Sequence, residues 1–250
     1  MADSRSQDCP PLKLQTLYNI RDLGGHPTAD GRETQCGRFI RSDAPVRLSQ
    51  SDLDVLLSYP VRHVIDLRSQ SEIRQQPHDL RDQPGISYHN IPLLGVSLER
   101  DMMRLQRNNG HKKISLVDLY RHILDQSQTA IRSVMLTLAA ADSDARLFNC
   151  SHGKDRTGLI TALLLALAGV GHDHIVDDYQ VSESLLKPWF DTFIHMVPET
   201  DRRFFMTPPH YMRETLAYIE EKYHGATSYL LACGVDISVQ ERLRQLLLAP

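Results

Sequence analysis

A cysteine and an arginine stand six positions apart in the run Asn149-Cys150-Ser151-His152-Gly153-Lys154-Asp155-Arg156-Thr157-Gly158. Two apolar residues precede the run (Leu147, Phe148), and an apolar stretch from Leu159 to Val170 follows it. That order predicts a strand, a loop and a helix, with the loop seated on the helix N-terminus. A helix N-terminus offers unpaired N–H groups and about half a positive charge. A loop folded over it aims further N–H groups inward and forms a cradle for an oxyanion. Gly153 permits a turn that a side chain would obstruct, and the planar fork of Arg156 can hold two oxygens of one tetrahedral anion. Cys150 lies at the foot of the cradle. The field that draws an anion also favours thiolate over thiol, and comparable settings lower a cysteine pKa from about 8.5 to roughly 3.5–7.5. Thr157 opens the helix with a hydroxyl that could donate to the sulfur.

The chemistry open to this set is attack by Cys150 on a phosphorus held by Arg156 and the loop N–H groups. Ser151, His152, Gly153, Lys154, Thr157 and Gly158 complete the binding loop. A buried structural thiol is the ordinary reading of one cysteine, but it leaves Gly153, Lys154, Arg156 and Thr157 unexplained. A nucleotide P-loop ends in Gly-Lys-Ser/Thr, whereas Lys154 is followed by Asp155. Expulsion of an alkoxide or phenoxide benefits from a proton donor. Two aspartates qualify. Asp155 lies inside the loop, and Asp66 ends a predicted strand, where α/β sheets open onto their ligands. An anionic cradle would help keep either one protonated, and the sequence does not choose between them. Lys154 and His152 are further positive or ionisable groups. Arg21, Arg41 and Arg68 belong either to the pocket rim or to structural ion pairs. The histidines, His63, His89 and His122 among them, are scattered and form no metal triad, so neither a metal nor a cofactor is expected.

Several elements must position these residues. Residues 22–37 hold turn signals (Gly24-Gly25, Asp30-Gly31) and lead to a strand near Arg38–Arg41. Ser49–Ser58 reads as a capped amphipathic helix with Leu53, Leu56 and Leu57 on one face. Val61–Leu67 suits a buried strand and Ile86–Ile91 the next. Residues 96–126 contain two helical patterns broken at Asn108-Asn109-Gly110, and residues 129–141 form a helix before the signature strand. From Pro208 the chain is helical, punctuated by Gly225 and Gly234, and reads as a packing region in preference to a protein-contact module. Residues 1–14 form a loose polar arm, and residues 15–250 one domain.

The chain has 250 residues, 41% apolar and 24% charged, with a net charge of −3. This is an ordinary globular composition, and the charge argues against bulk nucleic-acid binding. Leu159–Val170 is too short for a bilayer span of about 20 residues. Cys9, Cys36, Cys150 and Cys233 are far apart, and a disulfide framework is not expected. A reducing, cytoplasmic setting follows. No apolar leader follows Met1, although export by another route stays open.

The residues CSHGKDRT match the Cys-x5-Arg-Thr signature of protein tyrosine phosphatases. With the GKDRTG ending, the chain resembles the atypical tyrosine and phosphoinositide phosphatases of bacteria and fungi. Asn19–Gly25 resembles their NxRDLGG, Gly37–Ser42 their next strand, Val64–Arg68 with Glu72 their IDLR…E, and Asp178-Tyr179 their DY pair. The histidine that usually precedes the nucleophile is Asn149 here. The resemblance implies an α/β phosphatase fold, with a mostly parallel central sheet flanked by helices, a helical insert at 96–126 acting as a lid and a helical C-terminal region at 208–250. It implies a cofactor-independent, cysteine-dependent phosphatase that accepts phosphotyrosine and takes phosphoinositides at least equally well, with Lys154 and His152 as cations for a second phosphate, and with phosphoserine/threonine as a further candidate. Its partners are phosphorylated proteins or phosphoinositides, with no nucleic acid and no integral membrane association. The oligomeric state stays open. A pseudophosphatase that binds phosphorylated partners without turnover is the alternative.

Overall fold

The computed structural model describes residues 9–94, 114–140 and 144–248. Five strands form one sheet in the order β1-β2-β5-β3-β4 (β1, Arg21–Asp22; β2, Phe39–Ser42; β3, Val61–Asp66; β4, Ser87–Asn90; β5, Ala145–Asn149). Only the short edge strand β1 runs antiparallel to its neighbour, and the other pairs are parallel. Parallel strands need crossover connections, and helices supply them. Helix α1 (Gln50–Ser58) starts where the Ser49 hydroxyl accepts from the Asp52 N–H. Helix α2 (Gln70–Gln75) starts with a capping box between Ser69 and Glu72.

The register fixes where the site must lie. Asn149, the last residue of β5, pairs with Ser42 on one side and Asp66 on the other. Three strand ends therefore converge beside Cys150, at the carboxyl edge of the sheet where α/β folds hold their ligands. Helix α5 (Asp155–Ala168) follows and is buried on nearly all sides, which its unbroken apolar sequence anticipates.

Each face of the sheet carries its own core. Ile40, Leu56, Val64 and Leu147 belong to the one covered by α1. The larger core joins Phe39, Ile65 and Phe148 to α5 and to α3 (Leu116–Gln126), α4 (Gln128–Ala140) and α6 (His172–Phe190). After a one-turn helix α7 (Glu199–Arg202), three helices close the chain: α8 (Pro209–Tyr223), α9 (Ala226–Ala232) and α10 (Ile237–Leu247). They join the larger core through Leu216, Tyr229 and Leu243. The Tyr229 hydroxyl donates to the Leu124 carbonyl at 2.8 Å, so this region packs on the body, as its sequence suggests. Of the helical insert expected at 96–126, residues 96–113 lie outside the described set, and the remainder is α3, a scaffold helix whose Leu119, Ile123 and Leu124 are buried. No helix among the described residues is long and apolar enough to cross a membrane.

One expectation is corrected outright. Cys9 and Cys36 form a disulfide, while Cys150 and Cys233 are free and buried. The sequence separation of 27 hides a close approach created by the turns at residues 22–37, where Gly24 lies so near that a Cβ there would sit 2.6 Å from the Cys9 sulfur. The cysteine argument for a reducing compartment falls with it, because such bonds persist mainly in oxidising ones.

Candidate active site

Residues 150–157 wrap the N-terminus of α5. Three successive carbonyls of this loop are drawn outward. Ser151 accepts from the Ala44 N–H at 3.3 Å, His152 from Asn19 Nδ2 at 2.8 Å and Gly153 from Arg41 Nη2 at 2.7 Å. In a trans peptide the N–H points opposite to the C=O. The N–H groups of His152, Gly153 and Lys154 are thereby turned to the inside of the loop. Gly153 has φ +65°, and a Cβ there would lie 2.4 Å from the Ser42 carbonyl. The position is closed to any side chain both by conformation and by space. A Cβ on Gly158 would meet the Tyr179 ring at 3.3 Å.

Arg21 and Arg41 hold the loop from behind. Both bind Asp178, Arg21 Nε at 2.8 Å and Arg41 through Nη1. Arg21 also donates to Asn19 Oδ1, the side chain that grips His152. Arg41 has no exposure; burial, then the nearby Arg21, push it down to about 10 despite Asp178. Burial would raise Asp178, but Arg21 and Arg41 hold its carboxyl well below the usual range. These two arginines are braces of the loop backbone, not parts of a pocket rim.

Inside the loop, Cys150 is 2% exposed. The Arg156 guanidinium binds Glu72 through both carboxylate oxygens, at 2.8 and 2.7 Å, and the Ser151 hydroxyl donates to Glu72 at 2.7 Å. Burial works to raise Glu72, yet Arg156 outweighs it and holds the carboxyl at about 2. Among the described residues, the Arg156 Nε–H and the Thr157 hydroxyl are buried without a partner. Unsatisfied buried donors are costly, on the order of 1–3 kcal/mol each, and a bound group is one explanation for them.

The two candidate acids differ in setting. Asp66 is fully buried. Its carboxylate accepts from Arg68 Nε and Nη2, the Arg68 N–H and the Tyr88 hydroxyl at 2.8–3.1 Å, and from Asn149 Nδ2 at 3.4 Å. Every one of these partners is a donor, and together they occupy both carboxylate oxygens. Asp155 accepts from Lys154 Nζ at 2.8 Å and from the Tyr120 hydroxyl, both on Oδ1. Burial would raise Asp155, but Lys154 and Tyr120 turn the balance and lower it. Lys154 is 1% exposed and also reaches the Met206 carbonyl at 3.4 Å; it does not extend into solvent. Arg68, expected at the rim or in an ion pair, is the partner of Asp66.

His152 packs on the aromatic side of the loop. Its ring lies 4.9 Å from Trp189 and 6.4 Å from Phe190, and burial depresses its pKa to about 4. It is the first member of an aromatic array that continues through Phe193 and Phe205 and flanks the loop. The sequence reading passed over residues 189–206, whose aromatic density (Trp189, Phe190, Phe193, Phe204, Phe205) was the available signal. It also missed Tyr120, which belongs to a helix whose apolar face is explained by packing alone. His78, bonded to Asn149 at 3.1 Å, carried no sequence signal. Among the described residues, no group of His, Cys, Asp and Glu is arranged to hold a metal.

A cysteine-bearing loop on a helix N-terminus, fed by parallel strands and flanked by a buried arginine, marks the candidate site of this α/β fold. The chain belongs to the tyrosine phosphatase family, whose model matches residues 12–249. It is 37% identical over 149 residues to a tyrosine-protein phosphatase of Nostoc commune, covering 60% of this chain and 49% of that protein. A putative tyrosine-protein phosphatase of Cupriavidus necator is 32% identical over 171 residues, 67% of this chain and 61% of that protein. A triple specificity protein phosphatase of Mycobacterium tuberculosis is 28% identical across 94% of this chain and 98% of its own length. The chain thus spans about half of the Nostoc protein and under two thirds of the Cupriavidus protein.

Proposed function

We propose that the protein is a cysteine-dependent phosphatase of phosphomonoesters, with phosphotyrosine in proteins as its substrate class. The observation that carries this reading is a loop after a free cysteine whose carbonyls are held outward, with the Arg156 Nε–H and the Thr157 hydroxyl buried and unpartnered among the described residues. In the proposed reaction the Cys150 thiolate forms the S–P bond as the bond to the leaving oxygen breaks. Arg156 and the loop N–H groups stabilise the equatorial oxygens, where charge gathers. Asp155 donates its proton to the leaving oxygen. It is preferred to Asp66 because its acceptors are not saturated by a bidentate guanidinium. Lys154 favours the ionised form of Asp155. An arriving phosphate dianion competes for Lys154 and raises Asp155. Water then attacks phosphorus, the P–S bond breaks, phosphate leaves, and Asp155 takes the water's proton.

A neutral His152 and an ion-paired Lys154 give little support for a second phosphate site, so phosphoinositides rank behind phosphotyrosine. The Cys9–Cys36 disulfide supports an oxidising compartment in preference to the cytoplasm. The test is turnover of a phosphotyrosine peptide by the wild type and by Cys150→Ser. The variant should lose turnover and still bind inorganic phosphate, whereas Arg156→Ala should lose both. Undiminished hydrolysis by Cys150→Ser would overturn the assignment, and phosphate binding by a wild type that turns nothing over would establish the pseudophosphatase reading.

A further inference from the structure

We propose that His78 is a positioning residue for the nucleophile, acting through Asn149, the residue immediately before Cys150; the catalytic part of this proposal rests on the function proposed above. His78 comes from the loop after α2, 71 residues before Asn149, and it is 4% exposed. Its tautomer follows from its neighbours. The Leu80 N–H donates to Nδ1 at 3.2 Å, so Nδ1 is the acceptor and Nε2 carries the proton. Nε2 therefore donates to Asn149 Oδ1 at 3.1 Å. This assigns the Asn149 amide as well: its oxygen faces His78, and its Nδ2 faces Asp66 Oδ1 at 3.4 Å. Asp66 is fixed in turn by Arg68 and by Tyr88. The Tyr88 ring meets the His78 ring edge-on at a centroid distance of 5.0 Å, which closes the circuit.

The chain of donors has one direction: Leu80 N–H to His78, His78 to Asn149, Asn149 to Asp66. A neutral ring in one tautomer satisfies all three steps. The imidazole thus stands one side chain behind the residue that precedes Cys150. Asn149 has no exposure, and its own carbonyl accepts from the Leu67 N–H at 2.8 Å. With backbone and side chain both tied, the strand end has little freedom, and the start of the loop inherits that order. Such outer partners are commonly what holds a reacting group in its productive geometry. Displacement of a reacting atom by about 1 Å can cost about 100-fold in rate.

The experiment is a double-mutant cycle with His78→Ala and Asn149→Ala, together with His78→Gln, which keeps a donor that can reach Asn149. Three quantities are read on the full chain: kcat and KM on an aryl phosphate, the rate at which iodoacetamide alkylates Cys150, and the melting temperature. His78→Ala should lower kcat by about 10- to 100-fold, with KM changed much less, and should alter the alkylation rate. Adding Asn149→Ala should then cost little more. His78→Gln should recover a good part of kcat. Three outcomes would overturn the proposal: a lowered melting temperature with kcat and alkylation unchanged, losses that add fully in the double variant, or no recovery by His78→Gln in a folded protein. If the wild type itself hydrolyses no phosphomonoester, the functional reading fails separately. The alkylation arm then still decides whether His78 sets the state of Cys150.

Discussion

The end of β3 and the start of α5 each bury an aspartate against a neighbouring cation, and the two pairs do different things. Arg68 meets Asp66 broadside, two residues along the chain, with Tyr88 and Asn149 filling in. Lys154 meets Asp155 as a point charge on one oxygen, with Tyr120 beside it. A guanidinium fork locks a carboxylate in a plane, whereas an ammonium can be drawn away by a second anion. The first pair therefore suits a fixed brace, and the second a carboxylate whose protonation answers to the ligand. The lesson is that a buried ion pair takes its role from the geometry of its cation rather than from its depth.

The sharpest way to break that contrast is kinetic. Asp155→Asn should cut turnover of a phenyl-type ester by about 10²–10⁴-fold while nearly sparing an activated aryl ester, whose leaving group needs no proton. Asp66→Asn should lower both equally, if at all. The same ester dependence in Asp66→Asn would reverse the assignment.

Stability should show the opposite ranking. Asp66→Ala strands a fully buried Arg68 and should cost about 3–5 kcal/mol, measured by denaturant unfolding. A cost below about 1 kcal/mol would mean that the brace is not one.

The pH dependence of folding is the next test. Burial lowers His78 to about 4, against Asp66, Asn149 and Asp79, which favour its charged form, and with Arg68, which opposes it. The unfolded chain then binds more protons between its value near 6.5 and 4, so stability falls as pH drops through that window, by on the order of 3 kcal/mol. Glu72, held at about 2, adds a further loss from its unfolded value near 4.5 downward, because its contribution is present only while it is ionised in the folded state. Unfolding curves from pH 7 to pH 3 should show the first slope vanish in His78→Gln and the second persist.

The smallest effect belongs to Tyr120→Phe. The hydroxyl favours the ionised form of Asp155, so its loss should raise the pKa of the acid. The alkaline limb of the kcat profile should therefore move to higher pH. A downward shift would contradict the role given to Asp155.

Much of this was legible in the chain. The strand-loop-helix order around Cys150, the capped helix from Ser49, the buried strand before Asp66 and the helical C-terminal region all follow from local pattern, and local pattern is what sets them. The loop's own residues announced themselves by type and spacing. What stayed hidden depends on pairing across distance. Nothing in Asp66 or Asp155 says which cation will meet it from which side. His78 looks like any other scattered histidine until β3 and β5 bring its loop against Asn149. His152 looked like a cation until Trp189 came to lie over it. Cys9 and Cys36 looked unrelated because nothing local in the sequence shows how turns will fold back on themselves.

That last pair has a consequence for anyone handling the protein. The disulfide sits where Gln35 donates to the Leu247 carbonyl at 2.6 Å and Thr34 bridges to Leu248. Residues from near the start and from the far end of the described chain are thus tied into one knot, next to Gly37, whose N–H donates to Asp22 of β1 at 2.7 Å. A preparation kept in strong reductant to protect Cys150 would loosen this knot and, through β1, the grip on the loop. Reductant added for the sake of that thiol would act against the scaffold that presents it.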